Sequence, residues 1–261
     1  MMQNNMTSRR DFLKKATAAT LGSAAFLSGC GTNMTGKQSA NAKPSIISKD
    51  DTILFQGDSI TDSGRSRGRQ GQRSGFGGGN PLGNGYVYFA AARLMAEMPA
   101  YNLKILNRGI SGNIVPDLDA RWDTDCIELK PNVLSILIGV NDIWHTLDGR
   151  YHITKEQYEA NYRTLLDRTT ETLPGVKLVI CEPYVLRYGV VNDNWFPEFD
   201  GFRAAAKKMS QEFNAAFVPF QTMFDEAVKD TPPEYWTPDG VHPSTNGAML
   251  MANEWIKVVA S

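Results

Sequence analysis

Short apolar runs alternate with longer amphipathic segments from residue 52 onward, and this alternation restricts the folds open to the chain. The runs are rich in branched and aromatic residues and are typical of buried strands, whereas the longer segments have helical spacing. Strands that alternate with helices favour a single parallel sheet covered by helices on both faces. The predicted strands are residues 52–57, 104–107, 133–138, 178–180 and 217–218. The predicted helices are residues 86–98, 116–129, 154–173, 199–213, 220–229 and 245–259.

The first predicted strand runs into the sequence Gly57-Asp58-Ser59. Gly57 can relax the backbone for a sharp turn. Ser59 then lies just past the carboxyl end of the strand, where ligands bind in open α/β folds. A serine held in that place can serve as a nucleophile. The alternative is that Ser59 only caps a following helix, and this stretch alone does not separate the two.

A histidine near the end of the chain is the candidate base. Asp239 precedes His242 by three residues in a predicted loop, and Pro243 with Ser244 marks the start of the last helix. In a tight turn the aspartate can accept the Nδ1 proton, which leaves Nε2 free to take a proton from a serine. Taken alone, Asp-x-x-His is equally consistent with a surface turn.

Two turns rich in glycine and asparagine follow the second and third predicted strands, at residues 107–113 and 139–142. Glycine lets a backbone N–H approach a reacting carbonyl oxygen, and Asn141 can add a fixed side-chain amide. Both donors can stabilise the oxyanion of a tetrahedral intermediate. Each sequence by itself is an ordinary turn. Four such blocks in this order are hard to explain as turns.

The four blocks resemble those of the SGNH hydrolases, also called GDSL esterases and lipases. The resemblance spans residues 52–258, although Ile60 stands where many members have leucine. It implies an α/β fold, a three-layer α/β/α sandwich with a five-stranded parallel sheet of flavodoxin-like strand order. The blocks are Gly57-Asp58-Ser59-Ile60, Gly112, Gly139-Val140-Asn141-Asp142 and Asp239-Gly240-Val241-His242.

The resemblance also implies a role for each of these residues. Ser59 would be the nucleophile, His242 the general base and Asp239 the group that orients the histidine. Gly112 and Asn141, together with the Ser59 N–H, would form the oxyanion hole. The reaction would be acyl transfer to water through an acyl-serine intermediate, with no metal or other cofactor.

Two details qualify the resemblance. Gly109 is an alternative to Gly112 in the oxyanion hole, but the spacing to the family's Ser-Gly-Asp/Asn pattern favours Gly112. The chain also lacks a Gly-x-Ser-x-Gly elbow, since Thr61 occupies the last position around Ser59. That absence argues against the ordinary α/β-hydrolase fold.

The side chains in the loops after the third and fourth predicted strands indicate the class of substrate. They mix aromatic with hydrogen-bonding side chains, which suits the faces and hydroxyls of sugar rings. The long apolar loops expected of a lipase are few. We therefore expect an O-acetylesterase acting on a carbohydrate, although such aromatics also fill hydrophobic cores. The candidate substrate-binding residues are Trp144, His145, Tyr184, Tyr188, Asn192 and Trp195.

Three other functions remain open from the sequence. A lysophospholipase, short-chain lipase or thioesterase of the same family would use the same catalytic residues. A catalytically silent, sugar-binding lipoprotein would turn over no ester. A metal-dependent phosphoesterase would use Asp58, Asp142, Asp239 and His242 as ligands, but one usable histidine is few for such a site.

Residues 1–29 are predicted to be an export signal rather than part of the fold. Residues 8–14 resemble a twin-arginine signal, and the apolar run at 16–28 is shorter than the roughly 20 residues that span a bilayer. Leu27-Ser28-Gly29-Cys30 resembles a lipobox, so we expect a lipid on Cys30. Residues 30–50 would form a flexible tether and residues 51–261 the hydrolase domain. These features predict an exported bacterial lipoprotein attached to a membrane only by lipid.

Charge and cysteine content add further expectations. Loss of residues 1–29 removes four basic residues and one acidic one, so the net charge goes from −1 to −4 and no nucleic-acid partner is indicated. The arginine- and glycine-rich segment 65–85 is predicted to be a loop, whose arginines either meet an acidic substrate group or are simply solvated. Cys126 and Cys181 are expected to be buried thiols, although an oxidising compartment permits a bridge. Nothing in the sequence indicates the oligomeric state.

Overall fold

The computed structural model describes residues 45–67 and 79–260 of the chain. Five strands form one parallel sheet in the order β2-β1-β3-β4-β5, which confirms the flavodoxin-like arrangement. The predicted signal, Cys30 and most of the predicted tether lie outside the described residues, as do Arg69 and Arg73. The strands are β1 Thr52–Gly57, β2 Lys104–Asn107, β3 Val133–Leu137, β4 Lys177–Cys181 and β5 Ala216–Val218.

Helices connect the strands and cover both faces of the sheet. Short 3₁₀ segments occur at Pro99–Tyr101, Ile127–Leu129 and Asp193–Trp195. The α-helices of the described part are α1 Ser59–Asp62, α2 Tyr86–Glu97, α3 Val115–Ala120, α4 Trp122–Asp125, α5 Val140–Leu147, α6 Lys155–Thr172, α7 Glu198–Glu212, α8 Phe220–Ala227, α9 Pro233–Trp236 and α10 Thr245–Val259.

Two consecutive residues of β1 show how the layers are arranged. The Phe55 ring contacts Tyr86 of α2 and Trp255 of α10, with centroids 5.8 and 4.9 Å away. Gln56 points the other way and its Nε2 donates to the carbonyl of Asp125 at the end of α4, at 2.7 Å. Successive side chains of a strand face opposite sides of a sheet. Helices α2 and α10 therefore form one layer and α4 belongs to the other, where α6 packs against α3 and α7.

The predicted helix over residues 116–129 is wrong, because the segment is broken in two places. Arg121 leaves the helical region (φ −116°, ψ 10°), and Cys126 (φ −136°, ψ −63°) separates α4 from the 3₁₀ turn that follows. The side chains at the first break are bound in different directions: Arg121 reaches β1, whereas Trp122 donates to Thr169 of α6 at 2.9 Å. Tertiary contacts of this kind override helix propensity, which is weak in Trp-Asp-Thr-Asp.

The packed region begins a few residues before the expected domain start. Ile47 is buried, and the Ile46 N–H donates to the carbonyl of Val259 at 3.1 Å.

Cys126 and Cys181 are buried free thiols as predicted, and burial raises the pKa of each to about 12. None of the helices within residues 45–67 and 79–260 has the length and apolar character needed to cross a membrane.

Candidate active site

The turn from β1 into α1 presents Ser59 at the carboxyl edge of the sheet. A side chain at Gly57 would clash with the carbonyl oxygen of Leu137 on β3, so this position requires glycine. Asp58 is the N-cap of α1, because its Oδ1 accepts the Ile60 N–H at 3.0 Å. Ser59 is thus not the capping residue, and its hydroxyl is free to face another partner.

That partner is His242, which lies in the loop before α10. The Ser59 Oγ is 2.8 Å from His242 Nε2, and His242 Nδ1 is 2.6 Å from Asp239 Oδ2. The second carboxylate oxygen, Oδ1, accepts the backbone N–H groups of Val241 and His242 at 2.9 and 2.7 Å. Partial burial opposes ionisation of Asp239, but the hydrogen bonds from His242 and Val241 prevail and lower its pKa. An ionised carboxylate only accepts, so it places the imidazole proton on Nδ1 and directs Nε2 toward the serine.

The loop after β2 and the start of α5 bring further donors to the same edge. Gly112 has φ +84°, a conformation that favours glycine, and its N–H makes no hydrogen bond within the described chain. Asn141 lies in the first turn of α5 and its Nδ2 donates to the carbonyl of Asn113 at 3.2 Å. The Gly109 N–H instead donates a hydrogen bond to Asn107 Oδ1 at 2.9 Å. Of the two glycines weighed from the sequence, Gly112 is therefore the one with an available donor.

Asp62, the last residue of α1, supports this loop and was missed in the sequence. Its Oδ2 accepts both the N–H and the hydroxyl of Ser111 at 3.2 Å, and it also binds the guanidinium of Arg67 at 2.7 Å. Arg65 donates through Nε to the carbonyl of Gly109 at 2.8 Å. Two arginines of the predicted loop therefore hold the neighbourhood of Gly112 in place. The available signal was the position of Asp62, three residues after Ser59 and two residues past the first motif block.

Two of the predicted aromatic residues lie on the His242 side of the site. The Trp144 ring is partly exposed, with its centroid 6.2 Å from that of His242. Trp195 is only 3% exposed and contacts Trp144 from behind, with ring centroids 5.6 Å apart. Trp144 therefore offers an aromatic surface next to His242, and Trp195 supports it.

The other candidates occupy different surroundings. Tyr184 is 0% exposed and its ring lies 4.5 Å from that of Phe224, so it is a core residue, which corrects the prediction of substrate binding. His145 is buried and stacks on Tyr151 with centroids 5.5 Å apart. Asn192 is exposed, but its side chain accepts the N–H two residues on and caps a 3₁₀ turn. Tyr188 is also exposed.

Two carboxyl groups are buried beneath the site. Asp58 and Asp142 each use one oxygen to accept a backbone N–H, whereas the second oxygen, Oδ2, has no partner among the described residues. Burial raises the pKa of each to about 7. Within residues 45–67 and 79–260 no group of three or more His, Cys, Asp or Glu side chains could hold a metal ion.

The raised pKa values predict how stability depends on pH. An unfolded aspartate has a pKa of about 3.9. Between about pH 4 and 7 the folded protein therefore binds more protons than the unfolded chain, and the free energy of unfolding falls as the pH rises. In Asp142→Asn the amide oxygen still accepts the Val115 N–H but cannot ionise. The variant should therefore gain up to about 3 kcal/mol relative to wild type on going from pH 5 to pH 8.

Urea unfolding at the two pH values measures this difference. The exposed Asp167→Asn on α6 is the matched control and should show the same stability relative to wild type at both. An equal effect of Asp142→Asn at pH 5 and pH 8 would contradict the prediction.

Comparison with known proteins adds an independent line of evidence. The GDSL-like lipase/acylhydrolase family matches residues 55–250. An acetylxylan esterase of Geobacillus stearothermophilus is 36% identical over 218 residues, which cover 82% of this chain and 95% of the relative. The crystal structure of a protein assigned to the GDSL-like lipases, from Parabacteroides merdae ATCC 43184, has a TM-score of 0.79 at 50% identity and covers 83% of this chain and 99% of its own.

A shorter match concerns the uncharacterized lipoprotein YqeF of Bacillus subtilis (strain 168). It is 31% identical over 86 residues, or 32% of this chain and 35% of the relative. The family match and the esterase relative both extend over most of the chain described above. The chain belongs to the GDSL-like lipase/acylhydrolase family and is a carboxylic ester hydrolase.

Proposed function

We propose that this protein is a serine esterase that removes O-acetyl groups from a carbohydrate. The observation that carries the proposal is the continuous chain of hydrogen bonds from Ser59 Oγ through His242 to Asp239, at 2.8 and 2.6 Å. Nucleophile, base and orienting carboxylate are thus within hydrogen-bonding distance in the order that acyl transfer requires. The acetylxylan esterase relative supports the choice of acyl group and substrate class.

In this mechanism the Ser59 hydroxyl attacks the acetyl carbonyl while His242 Nε2 takes its proton. The N–H groups of Ser59 and Gly112 and the amide of Asn141 stabilise the oxyanion. The bond between the acetyl carbon and the sugar oxygen then breaks as His242 protonates that oxygen, so the sugar leaves as an alcohol and an acetyl group remains on Ser59. A water molecule, deprotonated by His242, attacks this ester, and acetate leaves as the serine proton returns. Asp239 keeps the Nδ1 proton in place throughout.

Trp144 supports a sugar as the leaving group. Its partly exposed ring lies beside the imidazole that protonates the departing hydroxyl, so a pyranose ring stacked on it would carry its ester toward Ser59. Aromatic faces suit the apolar faces of sugar rings. A lipase, lysophospholipase or thioesterase of the same family would need an apolar surface for a long chain instead.

The first test is acetate release from acetylated xylo-oligosaccharides, compared with hydrolysis of nitrophenyl esters from C2 to C12 and of lysophospholipid. We expect acetyl esters to be the best substrates, and Ser59→Ala to lower kcat on the order of 10⁴-fold or more. Full activity of Ser59→Ala would contradict the nucleophile assignment. Turnover restricted to long-chain or lipid esters would contradict the carbohydrate assignment alone.

The second test separates sugar recognition from chemistry. Trp144→Ala should raise KM for acetylated xylo-oligosaccharides by about tenfold, the loss of roughly 1.4 kcal/mol of ring contact, because the sugar loses its aromatic surface. It should leave kcat/KM for nitrophenyl acetate within about twofold. Steady-state kinetics on both substrates measure the contrast, and the exposed Tyr235→Ala serves as an aromatic control. Equal losses on both substrates would show that Trp144 supports the histidine rather than the sugar.

The protein is also proposed to be an exported lipoprotein with a lipid on Cys30. The lipobox sequence and the partial match to a protein named as a lipoprotein support this. In the native bacterial host, Cys30→Ser should move the protein from the membrane fraction to the soluble fraction, because the acylated residue is lost. Fractionation with immunoblotting measures the shift. An unchanged membrane share in Cys30→Ser would contradict the proposal.

A further inference from the structure

Arg121 contacts residues next to two parts of the proposed oxyanion hole, the turn at Ser59 and the loop at Gly112. Arg121 lies at the break between α3 and α4, and its side chain is only 14% exposed. Its Nε donates to Asn113 Oδ1 at 2.9 Å, and its Nη1 donates to Gln56 Oε1 at 2.9 Å. Its Nη2 lies 3.5 Å from the carbonyl oxygen of Gly57. A single guanidinium thus joins the end of β1 to the loop after β2.

Both ends of this connection lie next to residues of the site. Gln56 and Gly57 are the last residues of β1, immediately before Asp58 and Ser59. On the other side, Asn113 directly follows Gly112. The carbonyl of Asn113 also accepts a hydrogen bond from Nδ2 of Asn141 at 3.2 Å. Asn141 is the third proposed oxyanion donor, so a shift of Asn113 would move it too.

We propose that Arg121 is a positioning residue for the oxyanion hole, and that it sets the distance between the Ser59 turn, Gly112 and Asn141. The inference rests on the oxyanion-hole assignment made under Proposed function. Arg121 acts through Asn113 and Gly57 and does not touch the substrate. Its effect is on the transition state, because the donors must lie at hydrogen-bonding distance from the oxyanion rather than from the ground-state carbonyl.

The geometry requires a guanidinium rather than just a positive charge. Arginine presents five N–H donors in a rigid plane, whereas lysine has one ammonium on a flexible stem. Arg121 uses three different nitrogens on four acceptors: Asn113, Gln56, Asp125 and Gly57. A lysine ammonium holds its three donors at one nitrogen, so it does not reproduce contacts that Arg121 makes from three separate nitrogens. Displacement of reacting groups by about 1 Å can cost on the order of 10²-fold in rate.

A purely structural account must be distinguished from this one. Arg121 also forms an ion pair with Asp125 one turn on, at 2.9 Å, and this contact alone could serve to hold α4. The chain offers a matched control in Arg168 of α6. Arg168 binds Asp119 of α3 and Asp123 of α4, so it holds the helices on either side of Arg121. Within the described part of the chain its side chain makes no hydrogen bond to residues 107–113.

The experiment compares Arg121→Lys and Arg168→Lys, with Asn141→Ala and Ser59→Ala as references. We expect Arg121→Lys to lower kcat for nitrophenyl acetate by about 10- to 100-fold while KM changes less than threefold, because only the oxyanion contacts are displaced. Affinity for an aryl trifluoromethyl ketone, which forms a tetrahedral adduct with the serine, should fall in parallel with kcat. Arg168→Lys should leave both at the wild-type level.

The outcomes separate this inference from the proposed function. Loss of activity in Ser59→Ala and Asn141→Ala with a normal kcat in Arg121→Lys would overturn this inference alone. Full activity of both reference variants would overturn the site assignment itself. Equal loss of thermal stability in the two lysine variants, with kcat and ketone affinity unchanged in both, would assign Arg121 a structural role.

A second pair of variants keeps the test decisive if Arg121→Lys does not fold. Asn113→Ala removes the acceptor of Arg121 Nε but keeps the backbone carbonyl that binds Asn141. Asn113→Asp retains an oxygen for the guanidinium. We expect kcat and ketone affinity to fall clearly further in Asn113→Ala than in Asn113→Asp, and equal values in the two variants would overturn the proposal.

Discussion

The hydrogen bond between Ser59 Oγ and His242 Nε2 joins residues 183 positions apart in sequence, and the rest of the site depends on it. Its two partners are held by different elements, Ser59 by the end of a strand and His242 by the loop between two helices. Ser59 follows β1 directly, and β1 lies inside the sheet between β2 and β3. His242 lies in the loop before α10, and α10 packs on the face of the sheet that Phe55 points to. A short turn after β1 places Ser59 at the carboxyl edge of the sheet, and the loop between α9 and α10 brings His242 to the same place.

Local hydrogen bonds also fix the turns that carry these groups. Asp239 uses one oxygen for the backbone of its own turn and the other for the imidazole. Asp58 likewise caps α1 with one oxygen and leaves the other unpartnered in the described chain. Rigid turns of this kind reduce the reorganisation needed during the reaction. This arrangement buries the carboxyl groups of Asp58 and Asp142, which disfavours their ionised forms. Their pKa values are therefore raised to about 7.

The strands were predictable from the sequence for a physical reason, whereas their order and the pairing of Ser59 with His242 followed from the family resemblance. Buried strands such as Val133–Leu137 are apolar on both faces, and the motif residues lie at their ends. Local pattern does not report what an aromatic ring touches, and this accounts for the correction at Tyr184. Its neighbours Phe220 and Phe224 come from α8, more than 30 positions later. Asp62 and Arg121 were missed for the same reason, because their partners Ser111 and Gln56 lie 49 and 65 positions away in sequence.

The break between α3 and α4 connects the failed helix prediction to the chemistry. A continuous helix over this segment would pair its own backbone N–H and C=O groups. The direction of the side chain at position 121 would then be fixed by the regular helical spacing. The departure of Arg121 from helical geometry instead leaves its guanidinium between β1 and Asn113. Departures from local regularity are expected at functional sites, where tertiary contacts outweigh propensity. The motif blocks therefore contain the groups proposed to react, while residues outside them, such as Asp62 and Arg121, hold those groups at the distances the reaction requires.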